Sequence, residues 1–226
     1  MGFNVTNVGY RPNVSGIKNQ NEKNEALKQA SDFLGTVRKG AEKGDVKLEI
    51  DIIKENIAKS GKTFKDIGYS EKELGELLVK GYKNEALKWI SLAKQRAGAG
   101  DVSWEVGQVR KFAKLASRSA GDSEALKEVG TADRELNGLV EKGNESEAFK
   151  WLHLAKDRSK TKDVTHELDY FQDYMAKTDK PMEYFASVDD IVRLKQTGKD
   201  NESMANLLGV FKQVPTLTNI VHTLFF

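Results

Sequence analysis

The sequence predicts an all-α fold: a helical repeat, solenoid-like or stacked as small bundles, of about three diverged units of roughly 60 residues each. Three observations predict it. The stretch Gly81-Tyr-Lys-Asn-Glu-Ala-Leu-Lys-Trp-Ile-Ser-Leu-Ala-Lys-Gln-Arg96 returns 62 residues later as Gly143-Asn-Glu-Ser-Glu-Ala-Phe-Lys-Trp-Leu-His-Leu-Ala-Lys-Asp-Arg158. An Asp-Val pair followed three residues on by Glu occurs three times, at Asp45, Asp101 and Asp163. Charged residues make up 31% of the chain and proline only 3 positions, a balance that suits solvated helix surfaces and is poor for strand-and-turn folds.

In chain order, Met1 to Gly16 contains no acidic residue and has no helical period, so residues 1–20 are expected to form a flexible arm. A repeat domain then spans 21–213, in units of about 24–80, 81–142 and 143–213. Helix A of each unit is the recurring stretch above. An earlier copy opens at Asn24-Glu-Ala-Leu-Lys28 and a faded one runs from Gly198 through Glu202, Met204, Leu207 and Leu208. Helix B starts at each Asp-Val, with the Asp in the N-cap place and the Glu in the first turn, where the helix dipole favours it. Its apolar residues recur at helical spacing, as in Val46, Ile50, Ile53 and Ile57, or Val102, Val106, Val109, Ala113 and Ala116. Helix C carries Glu73, Leu74, Leu77 and Leu78 in one copy and Glu135, Leu136, Leu139 and Val140 in the next. Ser70 with Glu73 fits a capping box, in which each side chain satisfies the other residue's backbone N–H. Residues 181–197 would hold the third C in the register Val188, Ile191, Val192 and Leu194. The segment 214–226 is apolar and contains a proline, and reads as a cap over the last repeat or a sticky end for a partner.

Composition narrows the chemistry. There is no cysteine, so a disulfide framework, a thiolate nucleophile and a Cys-based zinc site are excluded. Lys+Arg 36 against Asp+Glu 34 gives a net charge of +2, so no global field draws in nucleic acid or an anionic membrane. No apolar run approaches the ~20 residues a bilayer-spanning helix requires, and no secretory signal opens the chain, so the expected location is cytoplasmic, or exported without a cleavable signal. Met1-Gly2 with Thr6 matches the short N-myristoylation pattern, against which the bulky Phe3 counts.

Gly61-Lys62-Thr63 resembles the end of a phosphate-binding loop, but the glycine needed five residues earlier is Asn56 and helix B stands where a strand should be. Gly61 reads instead as a helix C-cap. His153, His166 and His222 are scattered, and His166 lacks the second His at i+4 of a zinc-binding helix. No cofactor or metal is expected, and no nucleophile, base and orienter can be named as catalytic. Arg110, Lys114 and Arg118 share a stripe of helix B that could track phosphates, yet other copies carry Lys54, Ala58 and Lys62, or Gln172, Ala176 and Lys180 there.

Comparing the copies separates anchors from display. Trp89 and Trp151 hold equivalent places and read as core. Trp104 aligns with Leu48 and His166, and Tyr170 with Ile52 and Gln108, so these places drift in character from copy to copy. Drift marks a surface, and aromatic and Arg side chains dominate binding energy there. The expected partner-binding set is therefore Trp104, Arg110, His166, Tyr170 and Tyr174; the alternative is that they fill gaps between diverged repeats. The function expected is a non-catalytic protein-protein interaction module or adaptor, including a bacterial secreted effector that engages a host protein. The alternatives are an enzyme with a carboxylate/histidine site between repeats and, last, nucleic-acid binding through the local basic stripe.

Overall fold

The computed structural model describes residues 14–120 and 126–213, which form helices joined by short turns and contain no strand. In order, the helices are α1 (Val14–Ala41), α2 (Lys47–Ser60), α3 (Glu71–Arg96), α4 (Ser103–Ala120), α5 (Asp133–Arg158), α6 (Thr165–Met175), α7 (Met182–Phe185) and α8 (Val188–Gln213). Short 3₁₀ turns lie at Phe64–Ile67 and Lys127–Val129. The segments Met1–Asn13, 121–125 and 214–226, with His222, lie outside the described residues. Helix α1 begins at Val14, inside the span 1–20 expected as an arm.

Local signals end and start these helices largely as the sequence predicts. Gly61 stops α2 in the left-handed conformation at φ 67°, its N–H donating to the Ala58 carbonyl. The Ser70–Glu73 box is formed: the Ser70 amide donates to the Glu73 carboxylate at 2.7 Å and the Glu73 amide to Ser70 Oγ at 3.2 Å. Ser187 opens α8 in a related way, accepting the Asp190 amide at 3.1 Å. The three aspartates sit one place before the expected N-cap. Asp45, Asp101 and Asp163 each accept the amide two residues on, at 2.8, 2.8 and 2.9 Å, and the following Val supplies the first helical carbonyl. The Asp thus folds the approach to the helix and Val46, Val102 or Val164 is buried beneath it.

The larger correction concerns helices C and A, which the sequence presents as separate. They run together without a break in α3, α5 and α8, so the unit limits expected at 80/81 and 142/143 fall inside continuous helices. Gly81, Gly143 and Gly198, read as openings of helix A, sit mid-helix. A Cβ at Gly81 would lie 2.5 Å from the Gly44 carbonyl oxygen, at Gly143 2.6 Å from that of Gly100, and at Gly198 2.6 Å from that of Lys162. Each glycine is there so that a backbone turn can press on the helix, and that contact outweighs the ~1 kcal/mol by which glycine weakens a helix interior.

The chain divides into two compact units, one of residues up to Lys88 with Val109–Gly130, the other of Trp89–Gln108 with Thr131 onward. The first has a core in which Leu34, Val37 and Ala41 of α1 meet Val46, Ile50, Ile53 and Ile57, closed by Tyr69 and Leu74. In the second, Ala148, Leu152 and Ala155 of α5 meet Val164, Leu168 and Phe171, with Phe185 and Ile191. The register expected for residues 188–194 holds for Ile191, which is buried, and for Leu194, which packs on this core; Val188 and Val192 are exposed.

Candidate functional site

One joint is built three times, and it fixes where the outward side chains stand. At each, the residue three after the mid-helix glycine donates to a carbonyl at the end of the preceding long helix: Asn84 Nδ2 to Ala41 at 2.7 Å, Ser146 Oγ to Ala97 at 3.0 Å, and Asn201 Nδ2 to Ser159 at 2.8 Å. Those carbonyls are left over by the helix end, and the side chain caps them from outside the helix. In the second unit the last arginine of a long helix also reaches forward to the buried first-turn glutamate of the short one, pairing Arg96 with Glu105 and Arg158 with Glu167. Burial pushes the Glu167 carboxyl up, but the Arg158 hydrogen bond and the charges of Arg158 and Lys162 outweigh it, leaving it below the ordinary range.

With the joint fixed, the second residue of each short helix points outward. That residue is Leu48, Trp104 or His166. Leu48 is 70% exposed and Trp104 61%. Trp104 stands edge-on against Trp89, ring centroids 4.7 Å apart and planes at 89°. In the next copy Tyr170, 39% exposed, stacks on Trp151 at 4.5 Å and 17°, and His166 meets Tyr170 edge-on at 4.7 Å. Each exposed ring is therefore held by a tryptophan of the long helix beneath it, in the offset and edge geometries that aromatic pairs favour. Trp89 and Trp151 are half-buried, and neither indole Nε1–H has a hydrogen-bond partner, so packing alone holds them.

The five residues nominated from sequence fall out as follows. His166 and Tyr170 are brought together, and Trp104 occupies the matching place one joint earlier; all three belong to the second unit. Tyr174, one turn beyond Tyr170, is half-buried against the second core with Lys177 Nζ 4.3 Å from its ring centroid. Burial, then the charges of Asp101 and Glu147, push its hydroxyl pKa up. Arg110 is exposed but belongs to the first unit. Sequence reasoning missed Trp89 and Trp151 as supports of the display and read them only as core. It also missed the two Arg–Glu pairs, although Arg at the end of helix A and Glu in the first turn of helix B both recur.

Among the described residues no three His, Asp or Glu side chains converge as a metal site. A hollow of about 480 Å³, open to solvent, lies in the first unit between Lys72, Gly75, Glu76, Val79, Ser119 and Ala120. Its charged lining is an exposed pair, Lys72 and Glu76, 3.8 Å apart along one helix. No described helix is long and apolar enough to cross a membrane. No family model, curated protein or solved structure matches this chain.

Proposed function

We infer that this chain is a non-catalytic protein-binding module of helical repeat units, acting as an adaptor or as an effector that engages another organism's protein. The observation that carries the reading is Trp104, a tryptophan left 61% exposed yet locked in orientation by Trp89. Tyr170, stacked on Trp151, adds a second exposed ring supported by the tryptophan that matches Trp89 at the next joint. A large ring already ordered in the free protein gives up little side-chain entropy on contact, which is why such residues dominate binding energy. The partner would present apolar or cationic side chains to these rings. The threefold joint supports the repeat reading, since the same glycine, capping side chain and Asp-Val turn recur in the same order.

The test substitutes Trp104→Ala and Tyr170→Ala together and measures thermal unfolding and partner capture by cross-linked pull-down. Because both rings are substantially exposed, the double variant should stay within about 2 kcal/mol of the parent stability and lose a protein that the parent retains. A drop of several kcal/mol with capture unchanged would make these rings structural and sink the proposal.

A further inference from the structure

One hollow occurs in both units and changes its chemistry between them. It lies between a long helix and the short turn or helix that leads to the next long one. In the first unit, Ser31 and Asp32 of α1 line about 400 Å³ together with Asp66 and Ile67. Counted back from the capped carbonyls of Ala41 and Ser159, the places of Ser31 and Asp32 are taken in the second unit by Phe149 and Lys150. There a hollow of about 410 Å³ has Phe149, Leu152 and Phe185 as its floor and the exposed Lys150, His153 and Lys156 as its rim, with no acid among the described lining residues. Phe149 is 43% exposed although it packs on Phe185 at 4.9 Å and on the exposed Tyr184 at 5.8 Å.

The rim also carries a charge that the fold leaves unmatched. Three residues before each capped carbonyl stands a cation, Arg38, Lys94 or Lys156, and eight before each mid-helix glycine stands an acid, Glu73, Glu135 or Asp190. Hydrogen bonds from Ser70, and then the charge of Arg38, hold the Glu73 carboxyl below its ordinary range. Lys94 Nζ lies 2.8 Å from Glu135. At the third place Asp190 accepts from Ser187 Oγ at 2.8 Å, and Lys156 has no ion pair among the described residues. Lys150 and His153 lie beside Glu147 and Asp157 of their own helix, at 3.0 and 4.0 Å. We propose that this hollow binds a segment of a partner protein in which a large apolar side chain stands next to an Asp or Glu. The apolar side chain lies on Phe149 and Phe185, and the carboxylate pairs with Lys156, supplying from outside the acid that Glu135 supplies to Lys94. Covering the exposed ring favours the contact, and the rim cation decides which sequence is accepted. This rests on the chain being a protein-binding module and adds a second surface to it.

The test selects a phage-displayed random peptide library on the full chain and measures the binding of the enriched peptides. They should share Phe, Leu or Ile beside Asp or Glu. Lys156→Glu should weaken them about tenfold, and selection on that variant should enrich Lys or Arg in place of the acid. Phe149→Ser should weaken them by a similar factor; both sites are exposed, and far-UV circular dichroism checks that the fold is kept. The Trp104→Ala/Tyr170→Ala variant should still bind the peptides. Peptides lost with that variant but kept by Lys156→Glu lie on the stacked rings, which overturns the hollow and leaves the proposed function standing. No enrichment, or enrichment indifferent to the charge at position 156, also overturns it. So does a dimer of the parent that Lys156→Glu takes apart, which assigns the hollow to a second copy.

Discussion

The joint in the first unit and the last joint in the second share a backbone plan and differ in how it is tightened. Between α5 and α6, Arg158 reaches forward to Glu167, which is buried. Between α1 and α2, the place of that arginine, one before the capped carbonyl of Ala41, is Gly40. A Cβ there would come within 2.8 Å of Val46 Cγ1, so the valine packs into the space where a side chain would rise. Glu49, the counterpart of Glu167, is only half-buried. The outer faces diverge in parallel, with Leu48 over the first joint and stacked rings over the second. What is kept across the two is the glycine, the capping side chain and the Asp-Val turn, which shape the fold. What varies is the pairing and the display, which the fold tolerates.

The comparison breaks most readily at the mid-helix glycine. Gly143→Ala puts a methyl against three backbone atoms, Gly100 O, Val102 N and Asp101 Cα, none of which can rotate away. It should lower stability by about 2–3 kcal/mol. Gly138→Ala in the same helix meets nothing within 4 Å and should raise stability by about 0.5–1 kcal/mol. Opposite signs for these two substitutions in thermal or urea unfolding are the expected result; equal signs would mean that the close approach is not needed.

Next in size is the charge pair. Glu167→Gln should cost about 1–3 kcal/mol, since it leaves Arg158 and Lys162 without their carboxylate, whereas Glu49→Gln should stay within about 0.5 kcal/mol. The folded Glu167 carboxyl titrates below its ordinary 4.5, so its contribution is complete above that pH and is lost as pH falls through the folded value. Urea midpoints measured from pH 6 down to pH 3 should therefore converge for the parent and Glu167→Gln. The smallest effect is at the cap: Asn84→Ala removes one partly buried hydrogen bond to Ala41 and should cost about 1 kcal/mol in unfolding experiments.

Helix content, the capping box at Ser70, the stop at Gly61 and the core of α2 were legible in the sequence because each depends on residues within one or two turns of each other. Helical period alone placed Ile50, Ile53 and Ile57 inside. The outward position of Trp104 was legible only as drift among copies, and its support by Trp89 was not legible, since that contact joins different helices. The glycines were misread for the same reason. Locally Gly81 and Gly143 look like helix boundaries; only the backbone turns pressed against them explain why the helix runs on.

By itself, then, the sequence determined that the chain is helical, where its short helices start, and which stripes they bury, since all of these follow from local spacing and capping. The tertiary structure decided that C and A are one helix and that Glu105 and Glu167 are buried with arginine partners. Those outcomes depend on what another segment brings to within a few ångströms, and no spacing within one helix encodes that distance.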